Sequence, residues 1–192
     1  MLALTAALPS ATARADGYYF TEQVGGAKIT DQLAASVSSA VQARFAFGVR
    51  RGAWSVEGFT EIDINSDSPY TDYNAPNLAS YGLALKRSFP LARHLDLYLR
   101  GNASEGIADG RLAGYAGRGL GFGAGIALKG KVPALGFLWF PLFFTGWGPK
   151  VTASLFIDDG YDFYRLHDGD GRASIDAQIT HLSGGFSVGT DF

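Results

Sequence analysis

The sequence predicts an all-β chain folded as a closed, antiparallel, up-and-down transmembrane β-barrel of eight strands. Three observations predict it. Short segments alternate between oily residues and small or charged ones. Glycine is frequent, 26 of 192 residues, about twice its ordinary ~7% share. The chain is 47% hydrophobic, yet it offers no clean run of the ~20 apolar residues that a membrane helix needs. Its longest apolar stretch, 137–144, is short and holds Pro141.

The last segment sets the rule for the others. Phe186, Val188, Thr190 and Phe192 share one parity; Gly185, Ser187, Gly189 and Asp191 share the other. Successive side chains of a strand point to opposite faces. In a membrane barrel one face meets lipid and the other the lumen.

The elements follow in order. Residues 1–15 are small and apolar and end in Ala13-Arg14-Ala15. They read as the remnant of a secretory signal peptide lacking its basic start, which leaves 16–192 as the barrel domain. Residues 17–25 form a first strand whose faces are ambiguous, because Glu22 shares parity with Tyr18 and Phe20. Residues 41–65 are the clearest hairpin. Phe45, Phe47 and Val49 lie opposite Arg44, Ala46, Gly48 and Arg50; Arg51-Gly52 turns the chain; Trp54, Val56, Thr60, Ile62 and Ile64 lie opposite Glu57, Glu61 and Asp63. The same alternation marks strands at 78–87, 94–101, 119–129 and 150–158. Segments 161–166 and 173–179 extend the last hairpin beyond the membrane, turned at Asp168-Gly169-Asp170-Gly171.

An even strand count puts both termini on one side, with short turns there and long loops opposite. The turns are Arg51-Gly52 and 88–93. The loops are 26–40, 65–77 and 102–118, the first with a possible short helix capped by Asp31. Segment 130–149 is apolar on both parities. It reads as an interfacial connection, which places Trp54, Trp139, Trp147 and Phe192 in a membrane-interface aromatic belt. The alternative is an extra strand pair, giving ten strands.

A net charge of -2 gives no footprint for nucleic acid. The absence of cysteine excludes a disulfide framework and thiolate metal sites. The lumen-facing ions are Arg44, Arg50, Lys86, Arg100, Lys129 and Lys150 against Glu57, Glu61, Asp63, Asp96, Asp158 and Asp191. An eight-stranded barrel has little room beyond its own side chains, so a balanced set reads as a paired plug rather than a water pore.

Alternating short strands, tight turns on one side, long polar loops on the other and a terminal Phe together resemble the small eight-stranded outer-membrane proteins of Gram-negative bacteria, the OmpA-transmembrane-domain and OmpX-like group. The likeness covers 41–192 well and 16–40 weakly. Thr190 departs from it, standing where that group carries a bulky apolar residue. The resemblance implies an integral outer-membrane location, insertion by the barrel-assembly machinery, and contact with outer-membrane lipid and lipopolysaccharide. It implies no activity.

Candidate chemistry is sparse, and no cofactor or metal is expected. His181 and Ser183 share a face at i, i+2 and could serve as base and nucleophile of a lipid hydrolase. They loosely resemble the His-x-Ser of outer-membrane lipid A deacylases, but Gly184 follows in place of Asn, and parity with Phe192 points both inward. Asp158, Asp159, Asp162, Asp168 and Asp170 make the last hairpin acidic without the spacing of a calcium loop. Glycines 119, 121, 123 and 125 lack the helix of a phosphate loop. Tyr70, Tyr73 and Tyr115 are loop residues that either contact a ligand or pack loops together. The expected function is a non-enzymatic barrel with a structural or surface-interaction role. A lipid-modifying hydrolase and a narrow channel are the alternatives.

Overall fold

The computed structural model describes residues 17–31, 39–65, 77–131 and 151–190. They form eight strands: β1 (Gly17–Asp31), β2 (Ser39–Arg51), β3 (Trp54–Asn65), β4 (Leu78–Ala92), β5 (Leu95–Ala108), β6 (Ala116–Lys131), β7 (Val151–His167) and β8 (Ser174–Thr190). Each pairs antiparallel with its neighbours in chain order, and β1 pairs with β8 to close the barrel. The described sheet therefore has eight strands, and the ten-strand alternative falls.

Register fixes the barrel's shape. Partners traced once around run Tyr18, Val49, Val56, Leu85, Gly101, Phe122, Tyr161, Thr180 and back to Lys28. The path returns ten residues further along β1. A shear of about ten with eight strands gives a strand tilt of roughly 40°, within the usual range for closed barrels.

The parity read from the sequence holds. Phe45, Phe47, Val56, Ile62, Leu83, Leu99, Phe122, Leu128, Leu155, Ile157 and Leu182 stand exposed on the outer wall. Arg44, Glu57, Glu61, Arg100 and Asp158 are buried inside. A soluble barrel would invert this. Glu22 resolves to the outer parity with Tyr18 and Phe20, while Tyr19, Thr21 and Gln23 turn inward. Among the described residues no helix is long and apolar enough to cross a membrane; the strands cross instead.

The strands outrun expectation at the loop end. The supposed loop 26–40 contains β1 to Asp31 and β2 from Ser39, and 102–118 contains β5 to Ala108 and β6 from Ala116. Asp31, the suggested helix cap, ends β1; residues 32–38 lie outside the described set. The connection left between β5 and β6 holds only a 3-10 turn, Gly110–Leu112. The turn expected at 88–93 shrinks likewise, because β4 runs to Ala92 and β5 starts at Leu95.

The cause at the loop end is an inner apolar layer. Ala27, Ile29, Ala40, Leu78, Ala108, Tyr164, Leu166, Ala177 and Ile179 pack into one buried cluster there, with Leu112, Tyr115 and Ile175 against it. Their burial holds the strands together past the membrane. Gly52 and Gly171 take positive φ, 58° and 68°, at the β2–β3 and β7–β8 turns, where left-handed backbone costs glycine little.

Candidate functional site

The lumen below this apolar cap is the only place where ionisable groups concentrate in the interior of the described residues. Near the barrel end where β1 begins and β8 stops, Lys129 pairs with Asp96. Further in, Lys86 Nζ meets Glu57 Oε1 at 2.7 Å, and the Tyr19 hydroxyl donates to the same oxygen at 2.7 Å. Arg44 is 1% exposed. Its guanidinium lies 3.7 Å over the Phe59 ring, 3.2 Å from Glu61 and 4.0 Å from Glu57.

A second cluster faces the first across the barrel. Arg100 Nη2 lies 2.9 Å from Asp158 Oδ1, and the Tyr98 hydroxyl donates to Asp158 Oδ2 at 2.7 Å. Arg100 Nη2 is also 3.1 Å from His181 Nε2. His181 Nδ1 lies 3.3 Å from Asp162 Oδ2 without forming a hydrogen bond, and Asn102 Nδ2 donates to Asp162 Oδ1 at 2.9 Å. Burial makes each such pair costly to break, because a lone charge in a low-dielectric interior goes uncompensated.

The glycines of β6 make the room. A Cβ at inward Gly119 would overlap Tyr164, at Gly121 Asp162 and Asn102, and at Gly125 Tyr98. The run that superficially suggested a phosphate loop is a bare wall against which the network of β5 and β7 packs.

Two sequence assignments change. Asp162, read as part of an exposed acidic hairpin, is 2% exposed in the lumen; its even parity with Asp158 was the available signal. Arg50 stays on the lumen side, but its Nε donates to the Gly52 carbonyl at 2.7 Å and forms no ion pair among the described residues. Among the described residues the lumen holds five cations (Arg44, Arg50, Lys86, Arg100, Lys129) and six carboxylic groups (Glu57, Glu61, Asp63, Asp96, Asp158, Asp162), with His181 between two of the latter. Asp63 is 2% exposed, and neither of its carboxylate oxygens has a hydrogen-bond partner. Lys150 and Asp191 lie outside the described residues.

His181 and Ser183 both face the lumen, buried. They do not form a base–nucleophile pair. Ser183 is bonded by the Gln23 amide and sits 3.4 Å from the Asp158 carbonyl, while His181 is engaged by Arg100 and faces Asp158 and Asp162. The acidic set of the last hairpin also separates. Asp158 and Asp162 point inward and Asp159 outward, while Asp168 Oδ1 accepts from the Arg172 amide at the turn. Among the described residues no three acidic, histidine or cysteine side chains converge on a metal position.

On the outer wall, Trp54 is exposed near the β2–β3 turn, with the Arg87 guanidinium 5.1 Å over its ring. Trp139, Trp147 and Phe192 lie outside the described residues, as do Tyr70 and Tyr73. Tyr115 packs against the apolar cap.

An apolar outer belt, an ion-filled interior and full closure define an integral membrane β-barrel of the bacterial outer-membrane type. Among solved structures the chain is similar to Neisserial surface protein A, with 18% identity and a TM-score of 0.60, over 91% of this chain and 97% of that one. This likeness shows the fold. Weaker similarities reach AlkL, with 13% identity and a TM-score of 0.46 over 96% of each chain, and Ail of Yersinia pestis, with 12% identity and a TM-score of 0.44 over 89% of this chain and 97% of that one. No family model and no curated protein matches the sequence.

Proposed function

We propose that this outer-membrane barrel is non-enzymatic and acts as a structural or surface-interaction protein through its loop-bearing end. The observation that carries the reading is the lumen: paired ions fill it and an apolar layer stops its loop-side mouth. A continuous water path requires a polar bore, and Leu166 and Ala177, both 0% exposed, lie across it. Ser183 Oγ is engaged by Gln23 and the Asp158 carbonyl rather than by His181, which favours a non-catalytic role over the hydrolase alternative. In this reading the β7–β8 hairpin and the other loops carry the contacts. Outer-membrane lipid and lipopolysaccharide surround the wall, and the barrel-assembly machinery inserts the chain.

Two measurements test it. In planar bilayers the folded protein should pass no steady current; discrete, reproducible single-channel steps would replace the proposal with a channel. In cells, Ser183→Ala should leave the mass spectrum of lipid A unchanged from that with the wild-type protein. A species that disappears with the substitution would establish the hydrolase.

A further inference from the structure

We propose that the lumen binds one hard divalent cation of the calcium class between Asp63 and Asp162, a binding site beyond the surface role above. The pairing of the interior leads to it. Glu57 has Lys86, Glu61 has Arg44, Asp158 has Arg100 and Asp96 has Lys129. Asp63 and Asp162, each 2% exposed, have no lysine or arginine partner among the described residues. The basic group nearest to either is His181, beside Asp162. A guanidinium only donates hydrogen bonds, so the contact from Arg100 Nη2 makes His181 Nε2 an acceptor and leaves the ring neutral. Two buried carboxyls thus stand without positive charge beneath the apolar cap.

β3 and β7 stand opposite each other in the ring of strands, and Glu61 and Asp162 are the charged groups within electrostatic reach of Asp63. Each unpaired carboxyl has an amide beside it. Gln42, 0% exposed, is the register partner of Asp63; Asn102 donates to Asp162. The set lies directly under the cap: Gln42 and Asp162 are two residues from Ala40 and Tyr164 on their strands, and Asp63 is in register with Leu78. Five of its oxygens have no hydrogen-bond partner: both of Asp63, Oδ2 of Asp162, Oε1 of Gln42 and Oδ1 of Asn102. Buried polar atoms left in that state cost free energy. Oxygen donors from carboxylates and amides, completed by water, are what calcium takes in a flexible shell of about six to eight. With no sulfur and only two carboxylates, the set differs from the cage of a transition metal. One divalent ion balances both carboxylates.

The test folds the full chain from urea into non-ionic detergent micelles with calcium chloride present. External ion is then removed with a chelator and a desalting column, and calcium is counted per folded chain by elemental mass spectrometry. Enclosure beneath the cap makes the bound ion slow to leave, so the wild-type protein should retain about one calcium. Asp63→Asn and Asp162→Asn should each lower retention about fivefold or more. Asp168→Asn, at the exposed β7–β8 turn where its carboxylate accepts from the Arg172 amide, should leave it unchanged. The fast-migrating band on an unboiled gel confirms folding; Asp63, which holds no hydrogen bond, gives the variant least exposed to misfolding. Urea midpoints give a second readout: calcium present during folding should raise the midpoint of wild type and not that of Asp63→Asn. A wild-type protein that retains no calcium would overturn the site and leave protons to balance the two carboxyls. Equal retention by wild type and Asp63→Asn would mean an adventitious ion only, and an equal loss in Asp168→Asn would put the ion at the turn; either result also overturns it.

Discussion

Removing the Arg44 guanidinium tests whether the lumen is desolvated. Arg44 is almost fully buried, bonds Glu61, approaches Glu57 and covers Phe59. Glu57 keeps Lys86 and the Tyr19 hydroxyl when Arg44 is lost. Glu61 keeps no ion-pair partner among the described residues, so Arg44→Met strands one buried carboxylate. Breaking a buried pair in this way costs ~3–5 kcal/mol. Glu61→Met leaves the guanidinium only Glu57, 4.0 Å away and shared with Lys86, and should cost less than Arg44→Met. The double substitution removes both charges and leaves apolar side chains of similar length, so it should lie within about 2 kcal/mol of wild type, because apolar replacement of a whole buried pair is often close to neutral. The expected coupling in the double-mutant cycle is therefore several kcal/mol. The assay is urea unfolding in lipid vesicles, read by the folded and unfolded bands on an unboiled gel. Single variants costing under ~1 kcal/mol, the range of solvent-exposed pairs, or a double variant equal to the sum of the singles, would show that water fills the bore.

Asp63→Asn should leave stability unchanged or raise it by ~1 kcal/mol in the same assay, since neither Asp63 oxygen has a hydrogen-bond partner and the amide takes an ionisable group out of a buried site. Gly121→Val should prevent formation of the fast-migrating folded band, because its Cβ would overlap Asp162 and Asn102. Leu166→Ala, at a site with 0% exposure in the cap, should cost ~2–5 kcal/mol without changing ion-pair coupling below. Outside the membrane, the hydrogen bonds from Arg165 hold the Asp176 carboxyl below its usual range. Its folded value is depressed, so the pair's small stabilisation is present above the ordinary carboxylate value near 3.9 and fades as pH falls through the folded value. Arg165→Gln should move the Asp176 titration back toward ordinary in a carboxyl NMR experiment.

Strand number, closure and facing were legible because a two-residue period and a membrane impose the same constraint on every strand. Phe45, Leu83 and Leu155 lie on the outer wall and Arg44, Glu57 and Asp158 inside, as their parity required. Strand ends were not legible. The polar composition of 26–40 and 102–118 suggested loops, but what holds β1, β2, β5 and β6 together there is inward Ala27, Ile29, Ala40 and Ala108 meeting Tyr164 and Leu166 from β7. No local pattern records contacts with a distant strand. Glu22 was ambiguous for a related reason: its own strand carries a polar residue on the lipid side, and only pairing with Phe45 and Phe186 fixes its face.

Parity picked out many of the buried ions of the lumen but neither Asp162 nor the pairing among them. Arg44 and Glu61 are register partners on adjacent strands, so that pair follows from the hairpin. Arg100 and Asp158 lie on β5 and β7 with β6 between them, and their contact exists because Gly121, Gly123 and Gly125 leave the intervening wall bare. Asp162 enters the lumen across the same glycine face, where His181 and Asn102 meet it. The glycine run and the cross-strand ion cluster are thus one device. Filling any of these glycines would push the charges apart, and separating the charges would leave each buried without compensation. Through this interdependence the interior acts as one packed unit, in which glycine positions and ion pairs stand or fall together.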